Sequence, residues 1–316
     1  MTPRTEAGLV KCRPVRPGSR VALVAPASAF DRAEFDRGVE ALRALRLEPV
    51  WDESVFARDG AMVAGTPAVR AGALASAWAR EDVDAILAVR GGYGSVEVLP
   101  LLDAEPVRRS RTALVGYSDL TSLHTWLNGY VGLVSIHGPM IDARLSAGPS
   151  RVDLPSFLGS LSPAPMGELR PDGLEALRPG EARGALVGGT LTQLLASFRT
   201  PFEFGPVGRH VLFLDEVAER PYRLRRMLTQ LRLSGRLAAA AAVVIGQLPD
   251  CDEPGGTPTA RAVVADLLAD FPGPVLFGFP SGHTTTPLMS LPFGVQARVV
   301  AGPAPALVID EAAAAD

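Results

Sequence analysis

Short apolar runs and amphipathic segments alternate along the first 144 residues. A β-branched run at residues 20–25 precedes a helical pattern at 32–45, which is the order of elements in a parallel α/β sheet. The alternation predicts further strands at 83–89, 112–115 and 132–136, helices at 69–80 and 120–127, and an ordered segment at 95–102. We therefore predict an N-terminal domain at 1–144 with a doubly wound, mostly parallel sheet.

A change in composition separates this pattern from the rest of the chain. Residues 145–180 are rich in serine, proline and glycine with little periodicity, so we predict a linker with short embedded structure. Regular pattern resumes with strands at 184–187, 211–214, 242–246 and 275–278, helices at 191–198, 222–233 and 258–268, and closing strands at 289–292, 297–301 and 305–309. These elements predict a second, smaller α/β domain at 181–316.

Composition and charge narrow the possible classes of function. At 316 residues and 47% hydrophobic content, the chain is long enough for two cores. A net charge of −3 and a single lysine, Lys11, argue against a nucleic-acid-binding surface. The first twenty residues lack an apolar block, and the longest apolar run, 237–245, is too short to span a bilayer. We expect a cytoplasmic protein without a membrane partner.

The chain shows no pattern typical of a metal or cofactor site. Cys12 and Cys251 are too few and too far apart for a disulfide framework or a zinc site. No combination of His, Cys, Asp and Glu has metal-ligand spacing. The glycine loop at 90–94 matches neither the dinucleotide-binding fingerprint nor the P-loop. We expect a protein with no metal and no cofactor.

The segment Gly116-Tyr117-Ser118-Asp119 lies between an apolar run and a helical pattern. A tight turn at this place can present Ser118 as a nucleophile, or it can use the hydroxyl to cap the helix. Leu120 stands where the G-x-S-x-G pattern needs its second glycine, so that motif is incomplete. On these residues alone both interpretations stay open.

A serine nucleophile needs a histidine base, and the chain has four histidines. His124 follows Ser118 by six residues on the same helix, which rotates it roughly 240° away. His210 precedes a strand and lacks any site-like context. His137 and His283 each follow a strand, where sites collect in α/β sheets. These two remain candidates.

An acid that orients the histidine is available at the carboxyl end of an apolar strand. Asp215 and Glu216 are neighbours there, and neighbours on a strand point to opposite faces, so at most one can face the histidine. The loop at 90–94 contains three glycines, whose backbone N–H groups can approach a phosphate or a developing oxyanion closely. A second glycine turn, Gly188-Gly189-Thr190, fits a strand-to-helix packing role equally well.

Taken together, these segments resemble the LD-carboxypeptidase family, also called muramoyl-tetrapeptide carboxypeptidases. The resemblance runs in order through most of the chain. It comprises Pro17-Gly18-Ser19-Arg20-Val21 into Ala25-Pro26-Ala27-Ser28, Arg90-Gly91-Gly92-Tyr93-Gly94, Gly116-Tyr117-Ser118-Asp119, His137-Gly138-Pro139, Gly188-Gly189-Thr190-Leu191, Glu219-Arg220-Pro221-Tyr222-Arg223 with Met227-Leu228, and Gly282-His283.

The resemblance implies a role for individual residues. It implies Ser118 as nucleophile, His283 as base, and an oxyanion hole built from the backbone N–H groups of Gly92 and Asp119. The family's orienting acid is usually a glutamate, and the matching position here is Asp215, with Glu216 as the alternative one residue later. The family's more usual Gly-Gly-Asn is Gly-Gly-Thr here.

The implied function is that of a serine carboxypeptidase with its site in the cleft between the two domains. Its substrate would be a murein tetrapeptide, cleaved at the L,D bond that releases the terminal D-alanine during peptidoglycan recycling. The residues expected to contact the substrate are Arg90, Gly91, Tyr93 and Arg223, the two arginines as candidates for the substrate carboxylate. The resemblance also makes a homodimer the expected assembly.

Two other functions compete with this one. The microcin C self-immunity branch of the family cleaves peptidyl or aminoacyl adenylate analogues and stacks the base on an aromatic side chain. The only tryptophans, Trp51, Trp78 and Trp126, fall outside the linker and the catalytic loops. The alternative from another class is a non-catalytic protein that binds a small ligand, which would have no need of Ser118 and His283.

Overall fold

The computed structural model describes residues 8–206 and 208–316, which form two β-sheets with helices packed around them. The strands in this part of the chain are β1 (Arg20–Val24), β2 (Glu48–Val50), β3 (Ala85–Ala88), β4 (Ala113–Gly116), β5 (Ser135–His137), β6 (Gly167–Leu169), β7 (Glu175–Arg178), β8 (Gly180–Thr190), β9 (His210–Asp215), β10 (Ala240–Gly246), β11 (Val275–Phe279), β12 (Leu291–Phe293), β13 (Gln296–Ala301) and β14 (Ala306–Ile309). The α-helices are α1 (Arg32–Ala44), α2 (Pro67–Ala79), α3 (Ser95–Val98), α4 (Ala104–Ser110), α5 (Thr121–Trp126), α6 (Leu154–Ser160), α7 (Leu191–Ala196), α8 (Pro221–Leu233) and α9 (Ala260–Leu267).

The first sheet has six strands in the order β12-β5-β4-β3-β1-β2. Its five N-terminal strands run parallel, and β12 pairs antiparallel with β5 at one edge. Because β12 comes from residues 291–293, the chain returns to the first sheet after building most of the second one. The loop that precedes β12 is therefore tied to both sheets.

The second sheet has eight strands in the order β6-β14-β13-β8-β9-β10-β11-β7. Strands β8 to β11 run parallel at its centre, and the flanking strands are antiparallel. The carboxyl ends of β8 and β9 lie side by side, since Thr190 pairs with Asp215 in the register of the two strands. This sheet edge is where ligand sites collect in parallel α/β sheets.

The buried side chains form two clusters, which meet at the second sheet. Strand β9 shows this, because its side chains alternate between the clusters. Val211 and Phe213 belong to the larger cluster, which also fills the first sheet, whereas Leu212 and Leu214 belong to the smaller one. One face of the second sheet therefore shares a core with the first sheet.

The predicted fold class is confirmed, and most predicted elements are present within a few residues of their predicted ends. The missed elements include β2 and α4. β2 is three residues long and partly exposed, and it contains Pro49, so it carries no alternating pattern. α4 is seven residues long and contains Pro106 and several charged residues.

The stretch predicted as a linker is more structured than its composition indicates. Residues 145–180 contain α6, β6 and β7, and the two strands cover opposite edges of the second sheet. The predicted domain borders at 144 and 180 stay a prediction.

Among the described residues, no helix is long and apolar enough to cross a membrane.

The turn at the end of β8 leaves no room for side chains. Gly188 and Gly189 have φ values of +140° and +135°. A Cβ atom at Gly188 would lie 1.8 Å from the carbonyl oxygen of Phe213, and one at Gly189 would lie 2.5 Å from Oγ1 of Thr121. The glycines thus allow β8 to pass close to β9 and to α5.

We expect Gly188→Ala to lower the free energy of unfolding by more than about 2 kcal/mol, because the methyl group meets backbone that cannot move aside. Gly72→Ala is the control, since that glycine lies within α2 and an added Cβ would meet nothing within 4 Å. It should stabilise the protein by about 0.5–1 kcal/mol. Urea denaturation measures both, and equal effects would contradict the close approach at Gly188.

Candidate active site

Ser118 lies two residues beyond the end of β4, at the start of a 3-10 turn spanning Ser118–Leu120. Its φ is +65°, in the left-handed region that residues other than glycine rarely occupy. Gly116 lets the turn close tightly, since a Cβ there would lie 3.0 Å from Cγ of Leu120. A strained turn between strand and helix is typical of a serine presented for chemistry.

Three side chains from three segments form a chain of hydrogen bonds. Oγ of Ser118 lies 3.1 Å from Nε2 of His283, and Nδ1 of His283 lies 2.7 Å from Oδ2 of Asp215. A carboxylate only accepts hydrogen bonds, so Nδ1 carries the ring proton and Nε2 is free to accept the serine proton. This arrangement can withdraw a proton from the hydroxyl of Ser118.

Asp215 is fully buried and its carboxylate is held by three donors. Oδ2 accepts from the backbone N–H of His283 at 2.8 Å as well as from the ring, and Oδ1 accepts from Oγ1 of Thr190 at 2.8 Å. The threonine of the Gly-Gly-Thr turn therefore bonds directly to the acid. The backbone of Thr190 is held in turn by Oγ1 of Thr121, at 3.0 Å.

Glu216 points away from His283, toward the start of α7. Its Oε2 accepts from N of Thr192 at 2.9 Å and from Oγ1 of the same residue at 2.6 Å. Asp215 continues the face of β9 that carries Phe213, which packs against the first sheet, so the acid faces the side where Ser118 lies. Of the two neighbouring acids, the structure brings Asp215 to the histidine.

Burial and charge act in opposite directions on the two groups. Burial alone raises the pKa of Asp215, but the charge of His283 and the hydrogen bonds from it outweigh burial and lower the pKa to about 2. Burial alone lowers the pKa of His283, but the charge of Asp215 and their hydrogen bond raise it above its usual value. The pair therefore favours a charged carboxylate beside a histidine that readily takes up a proton.

The other three histidines have structural surroundings. His124 is buried with both ring nitrogens in hydrogen bonds, to Oγ of Ser135 and to the carbonyl oxygen of Gly116, each 2.8 Å long. His137 is buried too, with Nδ1 3.0 Å from Oγ of Ser281. Burial lowers the pKa of His124 to about 4 and that of His137 to about 3, so neither suits a base at neutral pH. Burial also lowers the pKa of His210, which lies at the opposite end of β9 from Asp215.

The glycine loop at 90–94 packs directly against the serine. A Cβ at Gly91 would lie 3.1 Å from Cβ of Ser118 and 3.4 Å from its Oγ. Gly92 has φ of +94° and passes close to Ser28, whose Oγ would be 2.3 Å from an added Cβ. Oγ of Ser28 accepts from N of Tyr93 at 3.0 Å. Ser28 thus holds the loop beside Ser118.

A buried arginine that the sequence analysis missed also shapes this loop. Arg70 donates to the carbonyl oxygen of Gly94 at 2.5 Å, to that of Pro26 at 3.1 Å and to that of Gly65 at 3.0 Å, and it forms an ion pair with Glu97. It lies on α2, within a pattern that predicts an ordinary amphipathic helix. Nothing local marks it as different from an exposed arginine.

Asp119 uses its side chain to anchor the turn. Its Oδ2 accepts from N of Ser95 at 2.8 Å, and its carbonyl oxygen accepts from Oγ of the same serine at 2.6 Å. These contacts tie the Ser118 turn to α3, which follows the glycine loop. The backbone amides of Gly92 and Asp119 therefore belong to two segments that meet at Ser118.

The remaining predicted residues, Arg90, Tyr93 and Arg223, bond to partners other than Ser118, His283 and Asp215. Arg90 adjoins Gly91 in the chain, and its Nε lies 3.1 Å from Oδ2 of Asp142. The hydroxyl of Tyr93 donates to Oε1 of Glu97 at 3.0 Å on an exposed surface. Arg223 is exposed and has no hydrogen bond to Ser118, His283 or Asp215 among the described residues. Its partners are Tyr222 and Glu219.

The three tryptophans each pack against another aromatic side chain. Trp78 and Trp126 are buried and lie near each other, and Trp51 packs edge-on against Phe35. Within residues 8–206 and 208–316, no group of three or more His, Cys, Asp and Glu side chains is arranged to hold a metal ion.

We expect His283 to separate from the buried His124 and His137 in an NMR pH titration. The ring of His283 should titrate above the usual value near 6.5, whereas His124 and His137 should stay neutral until about pH 4 and about pH 3. His283→Asn assigns the signal, because only that resonance should disappear. A ring of His137 that titrates near neutral pH would contradict the buried, neutral state described above.

Comparison with known proteins places the chain in a family. The model of the LD-carboxypeptidase N-terminal domain matches residues 21–138, and that of the LD-carboxypeptidase C-terminal domain matches residues 183–299. A Streptomyces coelicolor protein with a provisional carboxypeptidase name is 36% identical, over 91% of this chain and 93% of its own. The murein tetrapeptide carboxypeptidase of Pseudomonas aeruginosa is 30% identical, over 84% of this chain and 88% of its own.

A solved structure agrees with these matches at the level of the fold. The microcin C7 self-immunity protein MccF in its apo state has a TM-score of 0.88 and 22% identity, over 97% of this chain and 100% of that one. A mutant of the same protein has also been solved with adenosine monophosphate. Two domain models that together match most of the sequence, and relatives this similar along nearly its whole length, establish the conclusion: the chain belongs to the LD-carboxypeptidase family.

Proposed function

We propose that this member of a peptidase family is a serine carboxypeptidase that releases the terminal D-alanine from murein tetrapeptides. The observation that carries the proposal is the hydrogen-bonded chain from Ser118 through His283 to Asp215. The name of the Pseudomonas relative supports the substrate. In this proposal Ser118 is the nucleophile, His283 the general base and Asp215 the acid that fixes the ring.

The first half of the reaction forms an acyl-enzyme. Oγ of Ser118 attacks the carbonyl carbon on the L side of the L,D bond, which belongs to the residue before the terminal D-alanine. Nε2 of His283 takes the hydroxyl proton at the same time. The amides of Gly92 and Asp119 donate to the resulting oxyanion, and the strained turn and the glycine loop hold those amides in place before the substrate arrives. His283 then gives its proton to the departing amine of D-alanine.

The second half hydrolyses the acyl-enzyme. A water molecule replaces D-alanine beside Nε2 of His283, which takes a proton from it as it attacks the ester carbonyl. Collapse of the second tetrahedral intermediate returns the proton to Ser118 and frees the shortened peptide. Asp215 stays charged throughout and stabilises the imidazolium that forms in both halves, which its low pKa supports.

A carboxypeptidase must also recognise a free carboxylate, and Arg90 is the better of the two candidates. It adjoins Gly91, which packs against Ser118, and its half-exposed side chain contacts Asp142 and the carbonyl oxygen of Ala29. Arg223 is held by Glu219 and Tyr222. We therefore assign the substrate carboxylate to Arg90, with Gly91 and Tyr93 lining the same side.

The adenylate-cleaving function of the microcin C branch is the second candidate, favoured by the likeness to MccF, which has been solved with adenosine monophosphate. Two of the three tryptophans, Trp78 and Trp126, are buried in the first domain, and Trp51 is packed against Phe35. Buried or packed indole rings do not suit a platform for the base, which favours the carboxypeptidase over this branch.

The discriminating experiment compares three substrates with purified protein: a murein tetrapeptide, an aminoacyl sulfamoyl adenosine and an all-L peptide. Mass spectrometry should detect free D-alanine and tripeptide from the first substrate only. Preferential cleavage of the adenosine compound would instead support the function of the microcin C branch. Binding of the tetrapeptide without any hydrolysis would support the non-catalytic alternative.

The proposal also includes the cellular location and the oligomeric state of the enzyme. We assign the enzyme to cytoplasmic recycling of murein peptides and to a homodimer, in line with the family resemblance. Light scattering of the purified protein tests the dimer, and a monomer at micromolar concentration would overturn that part. Fractionation of the producing cells tests the location.

We expect Ser118→Ala and His283→Ala each to abolish turnover of the tetrapeptide while thermal unfolding stays close to that of the wild type. Nucleophile and base act as one unit, so the double variant should be no slower than either single variant. Steady-state release of D-alanine measures this. Substantial hydrolysis by the Ser118→Ala protein would remove the covalent mechanism.

The two neighbouring acids provide a matched pair of variants. Asp215→Asn keeps the shape but favours the wrong ring tautomer of His283, so kcat should fall on the order of 10⁴-fold. Glu216→Gln should change kcat only slightly, because Glu216 bonds to Thr192 and not to the histidine. Measuring kcat for both variants decides the matter, and near-normal turnover by Asp215→Asn would overturn the assignment of the acid.

A further inference from the structure

A buried arginine connects the serine turn to the histidine loop. Nη2 of Arg144 donates to the carbonyl oxygen of Gly282 at 3.0 Å and to that of Thr284 at 3.1 Å, the residues on either side of His283. Its Nε lies 3.3 Å from the hydroxyl of Tyr117, which precedes Ser118, and its guanidinium lies 5.7 Å from that ring. A single side chain therefore contacts both halves of the proposed catalytic unit.

The backbone around Arg144 is shaped to direct it inward. Ala143 has φ of +60°, a conformation that an alanine adopts only when its surroundings impose it. N of Ala143 donates to Oε2 of Glu34 at 3.2 Å, and N of Asp142 donates to the carbonyl oxygen of Val89 at 2.8 Å, at the end of β3. The turn that carries Arg144 is thus fixed to the first sheet.

The buried position of Arg144 lowers the stability of the fold. The residue is 4% exposed, and its Nη1 has no hydrogen-bond partner among the described residues. Nor does any carboxylate in the described part of the chain lie within ion-pair distance of it. A buried cation without a counter-ion destabilises a fold, so its presence next to His283 indicates a role other than packing.

We propose that Arg144 is a positioning residue that locks the loop of His283 against the turn of Ser118. The inference rests on the proposed function, in which those two side chains react together. Gln247, which follows β10, holds the same loop from the second domain, with Oε1 3.0 Å from N of Thr285 and Nε2 3.0 Å from Oγ1 of Thr286. Arg144 holds the loop of His283 from the first domain.

The charge of Arg144 has a second effect on the same histidine. The charged or titratable groups around His283 are Asp215 and Glu216 from the end of β9, Arg144, His137 of β5 and the ring of Tyr117. Burial lowers the pKa of His283, the two carboxylates raise it to a net value above the usual one, and the guanidinium lowers it. Arg144 thereby limits the rise that Asp215 causes and keeps more of the ring in its neutral, basic form.

Two substitutions separate position from charge. Arg144→Lys keeps the cation but cannot bond to both loop carbonyls and Tyr117 at once, so kcat should fall roughly 10- to 100-fold with KM within about threefold of wild type. Arg144→Gln should lower kcat similarly, and its loss of charge should move the acidic limb of the kcat/KM profile to higher pH. The acidic limb of the kcat/KM profile of Arg144→Lys should stay at the pH of wild type, because the cation is kept.

Arg13→Gln is the matched control. Arg13 donates to the carbonyl oxygens of Glu81 and Val83, at 2.7 and 2.6 Å, and to Oγ1 of Thr112 at 2.8 Å. These groups lie at the amino ends of β3 and β4, opposite the Ser118 turn, so this variant should keep the kcat and pH profile of wild type.

Thermal unfolding, the NMR titration of His283 and the labelling rate of Ser118 by a fluorophosphonate complete the test. A folded Arg144 variant with kcat within twofold of wild type, or an unshifted limb in Arg144→Gln, would overturn the proposal. Failure of both variants to fold would do so as well, because Arg144 would then be structural. If wild type is labelled at Ser118 but cleaves no tetrapeptide, the proposed function fails, and labelling rates and the His283 titration still decide the role of Arg144.

Discussion

The buried carboxylate of Asp215 is the constraint on which the rest of the site depends. An unpaired charge at this depth would cost several kcal/mol, and three donors from Thr190 and His283 offset that cost. Glycines make the space, because a Cβ at Gly282 would lie 2.2 Å from Oδ2 of Asp215 and one at Gly246 would lie 3.1 Å from its Cβ. The position of the histidine follows from the need to satisfy this one group.

The distance between serine and histidine depends on how the two sheets pack. Ser118 follows a strand of the first sheet, whereas Asp215 ends a strand of the second. A common core joins the first sheet to one face of β9, and β12 returns to the first sheet soon after His283. These contacts hold Ser118 and His283 at hydrogen-bond distance, although the two residues are 165 positions apart in the chain.

Much of the fold could be predicted because its elements carry strong local patterns. Buried parallel strands such as β9 and β10 are continuous apolar runs, and helices such as α1 and α8 carry an amphipathic pattern. β2 and the strands at 145–180 were missed as strands, since short edge strands draw their stability from neighbours and not from their own side chains.

The order of most elements, the serine turn, the glycine loop and the family resemblance follow from the sequence, because each is a pattern of consecutive residues. It could say that only one of Asp215 and Glu216 faces the histidine, since strand alternation is local. Which one does so depends on which face of β9 meets the first sheet, a contact between distant segments that strand alternation leaves open and the folded chain shows. The same holds for Arg70 and Arg144, whose partners are backbone carbonyls brought close by folding.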